Sequence, residues 1–148
     1  MTGIVADKVY AKVMSPHYAD HTGGDDWDIM STGILSSEDF NAVLRGAKVV
    51  VNASRCEAGS GSGLDAWKVG VSVAMSNLPS FMQQMEFLKT KASLFDPMDA
   101  KDIARAVLEI LDNPILAQKD AAESKAAMLK YTWDDVARQY MEIFKKGS

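Results

Sequence analysis

Residues 47–75 read AKVVVNASRCEAGSGSGLDAWKVGVSVAM, and the order of apolar runs, glycines and polar residues in this stretch decides the fold. Val49-Val50-Val51 is a continuous β-branched run. It predicts a strand over 47–53, buried on both faces of a parallel sheet. A small-residue loop follows over 54–63 (SRCEAGSGSG). The segment 64–69 then predicts a short helix stopped by Gly70, and 71–75 a further buried strand. Strand, loop, helix and strand in this order form the repeating unit of an α/β protein.

The same alternation extends outward. Upstream, 9–14 (VYAKVM) and 27–32 (WDIMST) predict strands, with a Pro- and Gly-bearing loop over 15–28 between them. Ser36-Ser37-Glu38-Asp39 supplies a helix cap and first-turn acids. Phe40, Val43 and Leu44 recur at helical spacing, and Gly46 sits where a left-handed terminal residue is expected. Downstream, Asn77-Leu78-Pro79-Ser80 turns the chain into a helix over 81–88, and 92–95 predicts a last short strand. The final third is helical. Asp99 caps a segment with Ile103, Val107, Ile110 and Leu111 on one face. Asn113-Pro114 supplies an N-cap and first helical residue for a helix to about 130. Thr132-Trp133-Asp134-Asp135 resembles a capping box before Val136, Tyr140 and Ile143. The pattern predicts one α/β domain over 1–148 with a mostly parallel sheet.

Composition narrows the function. The chain has 148 residues, 47% hydrophobic and 24% charged, with a net charge of −4 from sixteen basic and twenty acidic residues. That balance argues against a broad nucleic-acid footprint. Cys56 is the sole cysteine, so no intrachain disulfide forms and a reducing compartment is expected. Asp7, Lys8 and Lys12 interrupt the first residues, which lack a signal peptide's apolar run. No stretch approaches the roughly 18 apolar residues of a membrane span. A cytoplasmic location is expected, peripheral at a membrane if an acceptor is lipid-linked.

In open α/β sheets ligands bind outside the carboxyl ends of the strands. Of the loops there, 54–63 is the most unusual, with three glycines and further small residues ahead of a helix. Small residues admit a ligand to the backbone, and free amides at a helix start favour anionic or hydroxyl-rich groups. Glu57 and Asp65 at its two ends offer acceptors to sugar hydroxyls. Gly59, Gly61 and Gly63 do not fit a dinucleotide fingerprint, which needs G-x-G-x-x-G and an acidic residue about 20 positions on. Apart from Asp65, the next acidic residue is Glu86. No G-x-x-x-x-G-K-[ST] loop occurs. A flexible glycine loop without a ligand is the plain alternative.

A family resemblance spans about residues 27–145. Asn52-Ala53-Ser54-Arg55-Cys56-Glu57 resembles the strand end and P-S-x-x-E that open the E-x7-E motif of retaining GT-B glycosyltransferases (glycosyltransferase family 4-like, group 1). Leu64-Asp65-Ala66-Trp67 resembles its closing L-E-A-M. Residues 70–77 (GVSVAMSN) are similar to the family's G-x-P-V-I-A-S-N, Leu94-Phe95-Asp96-Pro97 to L-F-D-P, and Asp112-Asn113-Pro114 to D-N-P. Residues 99–111 follow D-x-x-x-I-A-x-A-I-x-x-L-L, Tyr131-Thr132-Trp133 a late F-S-W, and residues 32–39 T-G-F-V-S-D-E-E.

The resemblance implies the C-terminal, donor-binding half of a GT-B fold, a Rossmann-like three-layer parallel sheet with a helical C-terminal third. It implies sugar transfer from a nucleoside-diphosphate sugar to a hydroxyl acceptor with retention, without cofactor or metal. Glu57, as the catalytic-site carboxylate, would bind donor-sugar hydroxyls, and Asp65 the ribose hydroxyls. The backbone of Gly59, Ser60 and Gly61 would lie against sugar and diphosphate, with Leu64 bordering the ribose. Arg55 flanks the motif within reach of a phosphate, although surface charge is its default role. Asp65 stands where the family has glutamate, and EAGSGSGLD replaces E-G-F-G-L-P-x-L-E. The family's phosphate-binding Arg and Lys fall upstream of Met1, as does its N-terminal acceptor domain. The chain alone is therefore expected to be incomplete for catalysis. The expected partners are the donor and either a separate acceptor domain or a second copy on the exposed cleft face. The rival reading is a non-catalytic interaction module that keeps the GT-B half-fold.

Other residues carry plain expectations. His17 and His21 lack a third ligand and read as solvated. Cys56 reads as a buried thiol. Trp67, Trp133, Phe40 and Phe144 fall at core spacing, and Met75, Met82, Met85 and Met98 read as core filler. Asp99, Asp102, Asp134 and Asp135 read as caps and first-turn charges.

Overall fold

The computed structural model describes residues 34–147. The strands expected over 9–14 and 27–32, and both histidines, lie outside them. The chain divides into two compact units, Met1–Phe40 and Asn41–Ser148. The order of elements is α1 (Ser37–Gly46), β1 (Val49–Asn52), α2 (Gly61–Val69), β2 (Ser72–Ser76), α3 (Pro79–Leu88), β3 (Ser93–Phe95), α4 (Ala100–Asp112), α5 (Pro114–Met128) and α6 (Trp133–Lys146). The strands form a parallel sheet in the order β1-β2-β3. Val49 pairs with Ser72, and Ala74 with Ser93.

Strand alternation sorts the core into two sides. Val73 and Met75 of β2 pack with Ala66 and Trp67 of α2 and Phe81 of α3. Between them in sequence, Ala74 points the other way and packs with Phe95 of β3 and Ala106 of α4. Helices thus cover both faces of the sheet, the three-layer arrangement of a Rossmann-like fold. The parallel crossovers place α2 and α3 on one side, as right-handed connections running in one direction across a sheet require. Trp67 is fully buried, and its indole Nε1 donates to the Lys91 carbonyl at 2.9 Å, which satisfies the one polar atom the ring brings inside.

Several local expectations hold. Gly70 closes α2 with φ of 85°, its amide reaching the Ala66 and Trp67 carbonyls. Asp99 caps α4 by accepting from the Lys101 amide at 2.9 Å. The Thr132 and Asp135 capping box is complete. Others are corrected. The strand buried on both faces is β2, not β1. Among the described residues β1 has a paired neighbour on one side only, and Val51 is 44% exposed because α4 covers Val49 but not the next residue on that face. Gly46 is the last helical residue of α1 and is not left-handed; the left-handed glycine among the described residues is Gly70. Asn113 precedes α5 as expected, but its side-chain amide turns back to the Glu109 carbonyl at 2.9 Å and finishes α4 instead.

Four more expectations fail because apolar residues lie outside the core. Trp133 is 86% and Phe144 62% exposed, and Met82 and Met98 are exposed as well, whereas Met75 is fully buried and Met85 partly so. Helical spacing describes a face and not its burial, and none of these four side chains belongs to the two core clusters. Two ion-pair groups brace the scaffold. Lys91 Nζ lies 2.6 Å from both Asp120 and Glu123 of α5, and these hydrogen bonds raise its pKa. Arg105 bonds Asp102 at 2.6 Å and the Leu94 carbonyl at 2.7 Å, tying α4 to β3; the Arg105 hydrogen bond holds Asp102 below its ordinary value.

Candidate functional site

The carboxyl ends of β1 and β2 carry the loops over 53–60 and 77–78. Asn52, the last residue of β1, organises the first of them. Its buried side-chain amide donates to Ser60 Oγ at 2.9 Å and to Ser62 Oγ at 3.0 Å, while its Oδ1 accepts from the Ser54 amide at 3.1 Å. One side chain therefore holds both ends of the loop. Ser60 is fully buried. Its amide donates to Gln84 Oε1 of α3 at 2.7 Å, and its hydroxyl accepts from the Gly63 amide at 3.0 Å as the N-cap of α2.

That cap moves the helix start. The expected loop extended to Gly63, but α2 begins at Gly61, so Gly61-Ser62-Gly63 forms its first turn. The glycines differ in purpose. A Cβ on Gly63 would lie 2.8 Å from Ser60 Oγ and 2.9 Å from Met75 Cε, so a side chain there would have to push these buried neighbours aside where α2 packs on β2. A Cβ on Gly61 would meet nothing within 4 Å. Gly61 is exposed, and its amide and that of Ser62 precede the first intrahelical bond, so they stand open at the positive end of the helix.

Glu57 lies on the exposed part of the loop. Its carboxylate accepts from Ser54 Oγ, and its backbone carbonyl accepts from Ser80 Oγ of α3 at 2.6 Å. The carboxylate is thus held by its own loop while the loop is held by α3. Gly59 rests beside the Gln84 side chain. Leu64 is half-buried and packs on the core, and Asp65 is half-buried one residue further along α2. Arg55 is exposed, with no hydrogen-bond or ion-pair partner among the described residues. Cys56, expected inside, is exposed, because the loop over 53–58 projects from the sheet edge and turns little of itself inward.

The structure therefore joins Glu57, Gly59, Ser60 and Gly61 in one braced loop-to-helix turn, with Leu64 and Asp65 in the helix it opens. Of these, Ser60 has its amide and hydroxyl both engaged inside the protein, so Gly61 offers the more open backbone. The bracing residues Asn52, Ser80 and Gln84 escape sequence reasoning. Asn52 left a trace, since asparagine is depleted in strands and here ends a valine run. Ser80 and Gln84 left none, because their partners are more than 20 residues away in sequence. Among the described residues no group of three or more His, Cys, Asp or Glu is placed to hold a metal ion. Two concavities, of about 120 and 610 Å³, lie at the other end of the strands, around Ser72 and Ser93 and around Lys48 and Val71.

No family profile and no curated protein matches the sequence. Among solved structures the chain is similar to sucrose-phosphate synthase from Thermosynechococcus elongatus, with a TM-score of 0.73 at 19% identity. The match covers 93% of this chain and 34% of that protein, so the chain spans about a third of its structural neighbour. The fold is that of a GT-B half-domain, with a Rossmann-like parallel sheet and a helical C-terminal part. Among the described residues no helix is long and apolar enough to cross a membrane.

Proposed function

We propose that these 148 residues are the nucleotide-sugar-binding part of a retaining glycosyltransferase of the E-x7-E type, moving a sugar from a nucleoside-diphosphate donor to a hydroxyl acceptor. The observation that carries the reading is the braced turn at the carboxyl end of β1. The Asn52, Ser60 and Gln84 bonds fix the loop before any ligand arrives, and preorganisation lowers the entropy cost of binding. On that turn Glu57 is the carboxylate that would accept bonds from sugar hydroxyls. The open amides of Gly61 and Ser62 would face the diphosphate, with Arg55 as a supporting cation. Asp65 would take the ribose hydroxyls, and Leu64 and Gly59 would border the donor. No metal or cofactor enters this reading, since amides and a cation suffice to stabilise a leaving diphosphate.

In the transfer, the bond from the anomeric carbon to the diphosphate oxygen breaks as the bond to the acceptor oxygen forms. The acceptor proton leaves with the diphosphate. The acceptor side would come from protein outside these residues, on the same chain or another, and a cytoplasmic location belongs to the same proposal.

NMR titration of the domain with UDP, GDP and ADP and their sugar conjugates tests the reading. Amide shifts centred on 57–65 are expected, weakened roughly tenfold in Glu57→Ala or Asp65→Ala, the loss of one hydrogen-bonded charge. If no nucleotide moves these amides, even with an acceptor domain supplied in trans, the donor-site reading falls and a non-catalytic interaction module takes its place.

A further inference from the structure

The larger hollow at the amino ends of the strands, about 610 Å³, falls within the roughly 300–1,000 Å³ of small-molecule sites. Its floor is largely apolar. Val69 and Val71, on either side of the Gly70 stop, meet Ile110 and Leu111 from the end of α4 and Ala117 from α5. Arg45 and Lys48 line it too, and both are exposed, so they stand at its mouth. Neither has a hydrogen-bond or ion-pair partner among the described residues. A further cation, Lys125, lies over Gly70, where an added Cβ would come within 3.1 Å of its Cδ.

The charges identify the occupant. No carboxylate lines the hollow. The nearest acids in sequence are placed elsewhere: Asp112 lines a separate hollow beside Arg105, and Asp120 binds Lys91. Nor do the helix ends around it supply every counter-charge. The Ala66 and Trp67 carbonyls at the end of α2 accept from the Gly70 amide, and the Glu109 carbonyl of α4 accepts from Asn113. A chain of net charge −4 thus sets cations without counter-ions around an apolar floor. Two cations match the nearly double charge of a phosphate monoester at neutral pH, and a guanidinium suits its oxygens. The floor adds what a free phosphate ion could not use, a surface for an apolar body. We infer that this hollow binds a phosphate monoester with an apolar body, its phosphate held by Arg45 and Lys48 and its body on Val71 and Leu111. The site is independent of the donor reading, since it lies at the opposite ends of the strands and uses none of residues 52–65.

NMR shift mapping on the full chain tests it, with octyl phosphate below its critical micelle concentration as the probe. Amide shifts are expected over 69–72 and 117–118, and none over 57–65. Inorganic phosphate lacks the body, octanol the charge, and octyltrimethylammonium its sign. Each should bind at least about tenfold more weakly. Arg45→Glu combined with Lys48→Glu should reverse the preference, weakening octyl phosphate roughly thirtyfold or more and favouring octyltrimethylammonium. Leu111→Glu sets a carboxylate on the floor and should abolish octyl phosphate binding. None of these three residues belongs to a core cluster, so the near-ultraviolet circular dichroism of buried Trp67 should stay unchanged. The inference falls if octyl phosphate moves no amide around the hollow, or moves those of 57–65 instead. It falls equally if inorganic phosphate or octanol binds as well as octyl phosphate, or if the charge reversal leaves the preference as it was.

Discussion

Helices α2 and α6 are opposites. The first opens on Gly61-Ser62-Gly63, a poor start by intrinsic propensity, yet Ala66 and Trp67 are fully buried and the buried Ser60, Asn52 and Gln84 hold its origin. The second carries a complete capping box, acids in its first turn, lysines in its last and a clean apolar stripe, yet buries nothing. Tertiary contacts make α2, and local contacts make α6. The difference shows that amphipathic periodicity states which residues would be covered, not that anything covers them.

The sharpest way to break this contrast is to remove one tryptophan from each helix. Trp67→Ala should cost roughly 3–5 kcal/mol, because it leaves a large cavity and deprives the Lys91 carbonyl of its donor. Trp133→Ala in the same chain should change the global stability by no more than about 0.5 kcal/mol. Urea unfolding of both variants decides it. Equal losses would mean that α6 is docked within the monomer and that the contrast is false.

A smaller effect separates the glycines of α2. Gly63→Ala must push apart Ser60 Oγ and Met75 Cε, both buried, and should destabilise by about 1–3 kcal/mol despite alanine's better helix propensity. Gly61→Ala meets open space and should leave stability unchanged or raise it by up to about 1 kcal/mol. If Gly61 faces a donor diphosphate, the same methyl should still weaken nucleotide binding. Stability and affinity would then part company at this one position. A gain of stability at both glycines would instead mean that the first turn is held by propensity alone.

These pairs also mark what was legible in the sequence. The βαβ order, the Gly70 stop, the Asp99 cap and the Thr132 box could be read because each depends on residues within a few positions of one another. The extent of α2 could not, since the bonds that start it at Gly61 come from Asn52 and from Gln84, 24 residues beyond Ser60. Val49-Val50-Val51 predicts burial on both faces, but whether a second strand or a helix lies over Val51 is a property of the sheet. Asn113 looks like an N-cap by neighbours alone, yet two helices compete for its amide and α4 takes it. Glu57 was singled out by a motif; the serines that hold it were found only by folding the chain.

The last contrast lies in how the two helices begin, and it can be read from pH. The α6 cap is a box in which the Thr132 hydroxyl is joined by a carboxylate. Asp135 accepts from the Thr132 amide and hydroxyl, each at 2.8 Å, and these bonds, assisted by Arg138 at 3.0 Å, hold its pKa below the ordinary value. A folded-state pKa that is depressed contributes stability above the unfolded value of about 4, and this is lost as pH falls through the lower folded value. The α2 cap is the Ser60 hydroxyl, which has no charge to lose. Amide exchange in the first turn of α6 should therefore quicken several-fold below about pH 4, after correction for intrinsic rates, while α2 keeps its protection. Asp135→Asn should flatten the response of α6 without touching α2. If both helices loosened together, the acid would be acting on the whole fold and not on this carboxylate. If neither did, Thr132 alone would be holding the cap.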